Sequence, residues 1–309
     1  FGITYEAIDE TLETKVCIKE LFVSGHSTRG NNHTVQTQNS DNFSFSDFVQ
    51  RFVEEARQLA HFDHPNIVRV RDIFQANQTA YMVMEFVEGE TLKAMVAKQG
   101  AIAPETAFII MSQLFDAVEV VHQAGMLHRD IKPENILLTE NNRVVLIDFG
   151  SAREFIEGKT STQTAMLTPG YAPMEQYSSR AKRGTFTDIY SLGATLYFLL
   201  SGEKPLSATD RFHEAMSAPH ELNPAISTQL SSVVMLAMEM KPEDRFQEVG
   251  EMRKALSQLQ EENNIPPIID EPEEESLTNT EVDKVKLVDI RKYFWIFVGI
   301  AVLFIVLLN

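Results

Sequence analysis

The sequence predicts an α+β fold, and three patterns carry the prediction. Near the start, Val16-Cys17-Ile18-Lys19 lies in an alternating stretch with strand character. Phe48, Phe52, Ala56 and Leu59 then recur at i, i+4, i+8 and i+11, which marks the buried face of a helix. Further on, Ile136-Leu137-Leu138 and Val144-Val145-Leu146-Ile147 flank the turn residues Glu140-Asn141-Asn142 and read as a hairpin.

Each element places particular side chains. Alternation puts Cys17 and Lys19 on one face of their strand. Ser46 is positioned to cap the helix that follows. Glu55 comes three residues after Phe52 and four before Leu59, at the edge of the buried face. Glu54, about 200° around from Phe52, points to solvent. A second helix is expected over residues 188–201, from Asp188-Ile189-Tyr190-Ser191-Leu192-Gly193 to a stop at Gly202.

The chemistry concentrates in His128-Arg129-Asp130-Ile131-Lys132-Pro133-Glu134-Asn135 and in Asp148-Phe149-Gly150. Phosphoryl transfer needs a carboxylate to accept the proton of the attacking hydroxyl, a cation near the moving phosphate, and oxygen ligands for magnesium. Asp130, Lys132, and Asn135 with Asp148 supply these in order. The hairpin delivers both metal ligands to one place, Asn135 before its first strand and Asp148 after its second. Asp-Phe-Gly alone would be no more than a turn after a buried strand. Together with the eight ordered positions it resembles the protein kinase family, and Lys132 is similar to the lysine of its serine/threonine branch.

The resemblance implies a two-lobed fold with ATP between the lobes. A small antiparallel-sheet lobe with one main helix would occupy residues 1–87, and a larger helical lobe residues 88–260. Val16-Cys17-Ile18-Lys19 resembles the family's Val-Ala-Ile-Lys strand. Lys19 would then contact the α- and β-phosphates and pair with Glu55, and Cys17, in place of alanine, would lie against adenine. Tyr81-Met82-Val83-Met84-Glu85-Phe86-Val87 resembles the strand and hinge between the lobes. Met84 matches the gatekeeper, and backbone groups of Glu85 and Val87 would bind adenine. Phe1-Gly2-Ile3-Thr4-Tyr5 resembles the end of the glycine-rich phosphate lid, with Gly2 as its last glycine, so the chain is expected to begin inside that lid. The cofactors implied are ATP and Mg2+, with Mn2+ as an alternative ion.

Residues 151–175 correspond to the activation segment, closed by Ala172-Pro173-Met174-Glu175, which is similar to the Ala-Pro-x-Glu-Gln form of bacterial kinases. Thr168 matches the threonine that bridges the catalytic aspartate and lysine. Thr160, Ser161, Thr162 and Thr164 cluster in this loop, and Arg129 is a cation able to hold one of them once phosphorylated. Asp188 is expected to support the backbone at His128 and Arg129, and Arg245 to pair with Glu175. His61-Phe62-Asp63-His64-Pro65-Asn66-Ile67-Val68 resembles the helix-to-strand connection. Its two histidines lack a third ligand and are read as part of a turn.

Composition bounds the rest. The net charge is −17, from 27 basic and 44 acidic residues, but nine acids and no Lys or Arg fall in residues 261–283. Residues 261–290 are read as a disordered acidic linker. Nothing in this charge pattern suggests nucleic-acid binding. The single cysteine excludes an intramolecular disulfide framework. Residues 24–42 are polar, without periodicity, and are expected to form a mobile loop in the small lobe. Residues 293–308 form an uninterrupted apolar run after Arg291-Lys292. At about 1.5 Å per residue it reaches about 24 Å, short of a hydrocarbon core of about 30 Å. It is expected to be a transmembrane helix, cut short. The whole reads as a single-pass, membrane-anchored serine/threonine kinase of bacterial type, with its catalytic domain cytoplasmic. Its partners would be protein substrates, the membrane, and a second copy for autophosphorylation. The alternative is a kinase-like scaffold or receptor without significant phosphotransfer; the usual mark of a scaffold, loss of the equivalents of Lys19, Asp130 or Asp148, is missing here.

Overall fold

The computed structural model describes residues 2–30, 32–37, 45–149, 167–178 and 180–262. The chain divides into two units, 1–267 and 268–309, of which the second, with the apolar run, lies outside the described residues, as do residues 263–290 of the acidic segment; Glu261 and Glu262, read as the start of that linker, instead end the last helix of the large lobe. Among the described residues no helix is long and apolar enough to cross a membrane.

The small lobe is built on a four-stranded antiparallel sheet. Its strands are β1 (Ile3–Asp9), β2 (Thr14–Glu20), β5 (Val70–Ala76) and β6 (Thr79–Glu85), in the order β1-β2-β6-β5. The helix α1 (Phe45–Leu59) packs on β5 and β6. Its periodic residues Phe48, Phe52, Ala56 and Leu59 are all buried, as their spacing requires, and so is Glu55, while Glu54 is exposed. The helix already includes Phe45, so Ser46 lies in its first turn instead of capping it.

Residues 24–42 depart from the expected mobile loop. They contain an antiparallel hairpin of β3 (Ser27–Arg29) and β4 (Val35–Thr37). Val35 is buried and its amide donates to the Asn77 carbonyl at 2.8 Å, while Arg29 reaches back to Glu20 on β2. The hairpin is held from outside itself, and no periodicity within it could signal that.

The large lobe begins with β7 (Glu90–Thr91), α2 (Leu92–Gln99) and α3 (Pro104–Gln123). The expected hairpin forms from β8 (Ile136–Leu138) and β9 (Val144–Leu146), and β7 adds a third strand. Asn142 takes φ +59° in its turn, a conformation asparagine tolerates. The central helix α4 (Thr185–Ser201) starts three residues before Asp188 and ends, as read, at Gly202, whose φ of +76° is the left-handed cap conformation. Short α5 (Pro219–Leu222), α6 (Thr228–Ala237) and α7 (Val249–Glu262) complete the lobe.

Asn66 ties the lobes together. Its carbonyl accepts the Leu146 amide at 2.8 Å, and its side-chain amide donates to the Val144 carbonyl at 2.7 Å and to Gln113 of α3 at 2.9 Å. The β8–β9 hairpin is therefore fixed to the connection that leaves α1.

Candidate active site

Three elements converge on the cleft: β2 from the small lobe, the loop before β8, and the end of β9. The loop arrives after α3 and is held by Asp188, which is fully buried in α4. One carboxylate oxygen of Asp188 accepts the Arg129 amide at 2.7 Å, and the other accepts the His128 amide at 2.8 Å and faces His122 Nε2 at 2.8 Å. Burial alone would raise its carboxyl, yet His122, His128 and the Arg129 amide hold it below the usual carboxylate range. This support matters because Arg129 sits at φ +65°, a conformation worth about 1–3 kcal/mol of strain for such a residue. Gln176 clamps the other side, donating to the Arg129 carbonyl at 3.0 Å.

Asp130 is the centre of the constellation and is buried. Lys132 Nζ lies 2.9 Å from its Oδ2, and the Asn135 side-chain amide donates to the same oxygen at 3.0 Å and to the Asp130 carbonyl at 2.9 Å. Thr168 completes the bridge as read: its hydroxyl accepts from Lys132 at 3.1 Å and lies 3.3 Å from Asp130 Oδ1. The carboxylate thus has a fixed orientation beside a fixed cation.

Asp148 is delivered by β9 at φ +60°. Phe149 behind it is buried against the His128 ring, 4.3 Å between centroids, and near Phe62 at 6.5 Å. Gly150 and the cluster Thr160, Ser161, Thr162 and Thr164 lie outside the described residues. The amide of Ile147 donates to the Asn135 carbonyl at 2.9 Å, so Asn135 and Asp148 are neighbours across the hairpin base.

Lys19 is buried on β2 and pairs with Asp148. Desolvation would lower its ammonium, but the carboxylates of Asp148 and then Glu55 outweigh it and raise it above its ordinary value. Glu55 is buried on α1, as the helical geometry required. Asp148 responds reciprocally: burial pushes it up, but Lys19 holds it below the usual range. Cys17 and Met84 are partners in the β2–β6 register, and Glu85 ends β6 with Val87 just beyond. The Glu85 amide is committed to the Arg69 carbonyl at 2.9 Å. Burial raises the Cys17 thiol above its ordinary value. At the other end of β2, Gly2 takes φ +120°, and a Cβ there would meet the Glu20 carbonyl at 2.7 Å.

The donor set fits a divalent cation bound with a polyphosphate. Asp148 is an ionised carboxylate, and Asn135 spends its amide hydrogens on Asp130, which leaves its amide oxygen as a ligand. One or two such oxygens plus substrate phosphates suit Mg2+.

The family model described as the protein kinase domain matches residues 1–259. The chain belongs to the protein kinase family. Its relatives include PknB, a serine/threonine-protein kinase of Mycobacterium leprae, at 36% identity over 68% of this chain and 36% of the relative. A probable serine/threonine-protein kinase of Clostridium perfringens is 34% identical over 71% of this chain and 33% of the relative. The kinase therefore spans about a third of the length of these relatives. Among solved structures, the apo form of PpkA-294 superposes with a TM-score of 0.72 at 37% identity, covering 83% of this chain and 92% of that one. Rad53 in complex with AMP-PNP shares the fold, with a TM-score of 0.60 at 23% identity over 82% of this chain and 61% of that one. These matches support a bacterial-type serine/threonine kinase with the two-lobed architecture.

The motif residues Asp130, Lys132, Asn135 and Thr168 meet in the structure. The supports His122, Gln176 and Asn66 were not expected from the sequence. Gln176 had a signal, since it ends the Ala-Pro-x-Glu-Gln pattern; His122 and Asn66 had none beyond their neighbourhoods.

Proposed function

We propose that this kinase transfers the γ-phosphate of ATP to serine and threonine hydroxyls of proteins, including its own activation loop. The observation that carries the reading is the bridge of Lys132 and Thr168 around Asp130. A carboxylate held this way accepts the proton of an incoming hydroxyl as its oxygen attacks phosphorus. Lys132 stands beside that carboxylate, where it offsets charge on the transferred phosphate. Lys19, with Glu55 behind it, holds the nucleotide phosphates, and Gly2 presents lid backbone to them. Cys17 and Met84 line the adenine pocket, and the backbone at Glu85 and Val87 borders it. Asn135 and Asp148 would hold Mg2+, or Mn2+ in its place. When bound, the ion supplies Lewis-acid stabilisation of the phosphate oxygens.

Arg129 beside the catalytic carboxylate gives a phosphorylated Thr160, Ser161, Thr162 or Thr164 a cationic partner, so loop phosphorylation orders the segment. The apolar run at 293–308 with Arg291-Lys292 before it supports attachment to a membrane with the kinase domain in the cytoplasm. Transfer from labelled ATP, followed by phosphoamino-acid analysis of acceptor and enzyme, tests the reading. Phosphoserine and phosphothreonine are expected; phosphotyrosine alone, or no transfer, contradicts it.

A further inference from the structure

Glu20 follows Lys19 in β2, so its side chain leaves the opposite face of the strand. It is 1% exposed, yet it takes four donors. Arg29 places Nη1 at 2.7 Å from one carboxylate oxygen and Nη2 at 2.5 Å from the other. The Tyr5 hydroxyl donates at 2.7 Å and the Tyr81 hydroxyl at 2.8 Å. Arg29 Nη2 also donates to Tyr5 Oη at 3.1 Å, and Nη1 to the His33 carbonyl at 3.2 Å. Asn77 closes the network by donating to Tyr81 Oη at 3.0 Å.

This network joins β1 through Tyr5, β2 through Glu20, β6 through Tyr81, and the β3–β4 hairpin through Arg29. The backbone of Glu20 is also where the lid glycine rests, since Gly2 donates to the Phe22 carbonyl at 3.1 Å and packs on the Glu20 carbonyl and the Lys19 side chain. The groups proposed to hold phosphate, Gly2 and Lys19, therefore lie beside the main chain of the residue whose buried carboxylate ties β1, β2 and β6 together, and the cation that fixes that carboxylate comes from the hairpin. We infer that Arg29 is a positioning residue for ATP: through Glu20 and Tyr5 it sets the register of β1 over β2, and so the placement of the lid and of Lys19. The inference rests on the reading that Lys19 and Gly2 hold the nucleotide. Arg29 acts through other residues, on nucleotide binding and not on proton transfer at Asp130. Only a planar guanidinium reaches both carboxylate oxygens and Tyr5 at once.

The test compares Arg29→Gln, Arg29→Lys and Tyr5→Phe in the full chain, by steady-state kinetics in ATP and in a threonine peptide and by calorimetry with ATP. Arg29→Gln should raise KM and Kd for ATP about tenfold, with kcat at saturating ATP and the peptide KM within about twofold, the pattern of lost ground-state positioning. Arg29→Lys should recover part of the loss, and Tyr5→Phe should shift ATP affinity in the same direction by less. If ATP KM and Kd stay within about twofold in both Arg29→Gln and Tyr5→Phe, or if kcat and peptide KM deteriorate in parallel with ATP KM, the inference is wrong. Should Arg29→Gln fail to fold, Tyr5→Phe, which keeps the Arg29–Glu20 pair, decides alone. Lys19→Met separates the two readings. Wild-type turnover and ATP affinity there would overturn the role of Lys19 itself, whereas their loss beside an unaffected Arg29→Gln would overturn only the role of Arg29.

Discussion

Arg245 meets Glu175 fork to fork, Nη1 on Oε1 at 2.7 Å and Nη2 on Oε2 at 3.1 Å, with side chains 0% and 3% exposed. Arg245 also donates to the carbonyls of Glu239, Phe186 and Met240, and Thr187 donates to Glu175. An exposed pair of this kind contributes little; a buried one leaves a stranded charge when one partner is removed. Glu175→Ala is expected to destabilise by about 3–5 kcal/mol, seen as a fall in melting temperature well beyond that of an exposed control such as Glu54→Ala. Equal shifts in the two variants would contradict the buried pair.

Asp188 gives a pH signature. Its carboxyl is held below the ordinary value of 3.8, so it binds a proton more weakly in the folded chain than in the unfolded one. The stability it contributes is complete above that ordinary value and is lost as pH falls through the lower folded value. Asp188→Asn should therefore melt below wild type at neutral pH, with the gap narrowing as pH drops below about 4. A gap that stays constant with pH would show that the charge of Asp188 is not what holds the loop.

Thr168 tests the bridge around Asp130. Thr168→Ala removes the hydroxyl that joins Lys132 to the carboxylate, and kcat should fall by about tenfold or more, as expected for a lost hydrogen bond to a charged group of about 1.5 kcal/mol. Thr168→Ser should restore most of the rate. Failure of serine to rescue would mean that the methyl group, not the hydroxyl, matters.

Membrane attachment is checked by fractionation. Expressed in cells with its membrane span complete, the chain should sediment with membranes, and its kinase domain should resist protease added outside intact cells. Removal of residues 293–308 should release it to the soluble fraction. Digestion from outside, or release without that deletion, would contradict the proposed topology.

What the sequence made legible follows from how local the information is. Asp130, Lys132 and Asn135 lie within six residues, so their spacing alone implies convergence. Glu55 could be told from Glu54 because helical geometry puts only one of the two at the edge of the buried face, and Glu55 is the buried one. The pairing of Lys19 with Asp148 crosses 129 residues of chain and depends on how β2 sits over the end of β9. The β3–β4 hairpin was hidden for a related reason. Its strands are three residues long, and what holds it is Arg29 on Glu20 and Val35 on Asn77, contacts that leave no period in the sequence.

Asp130, oriented by Lys132 and Thr168, is the proposed acceptor of the proton of the attacking hydroxyl. The direct measurement is transfer of labelled γ-phosphate to a threonine peptide by wild type and Asp130→Asn, with melting temperature and ATP affinity measured in parallel. The amide keeps the shape of the carboxylate but cannot take a proton, so transfer should fall by at least about a hundredfold while folding and ATP binding are retained. Transfer at the wild-type rate by a folded, ATP-binding Asp130→Asn would contradict the account.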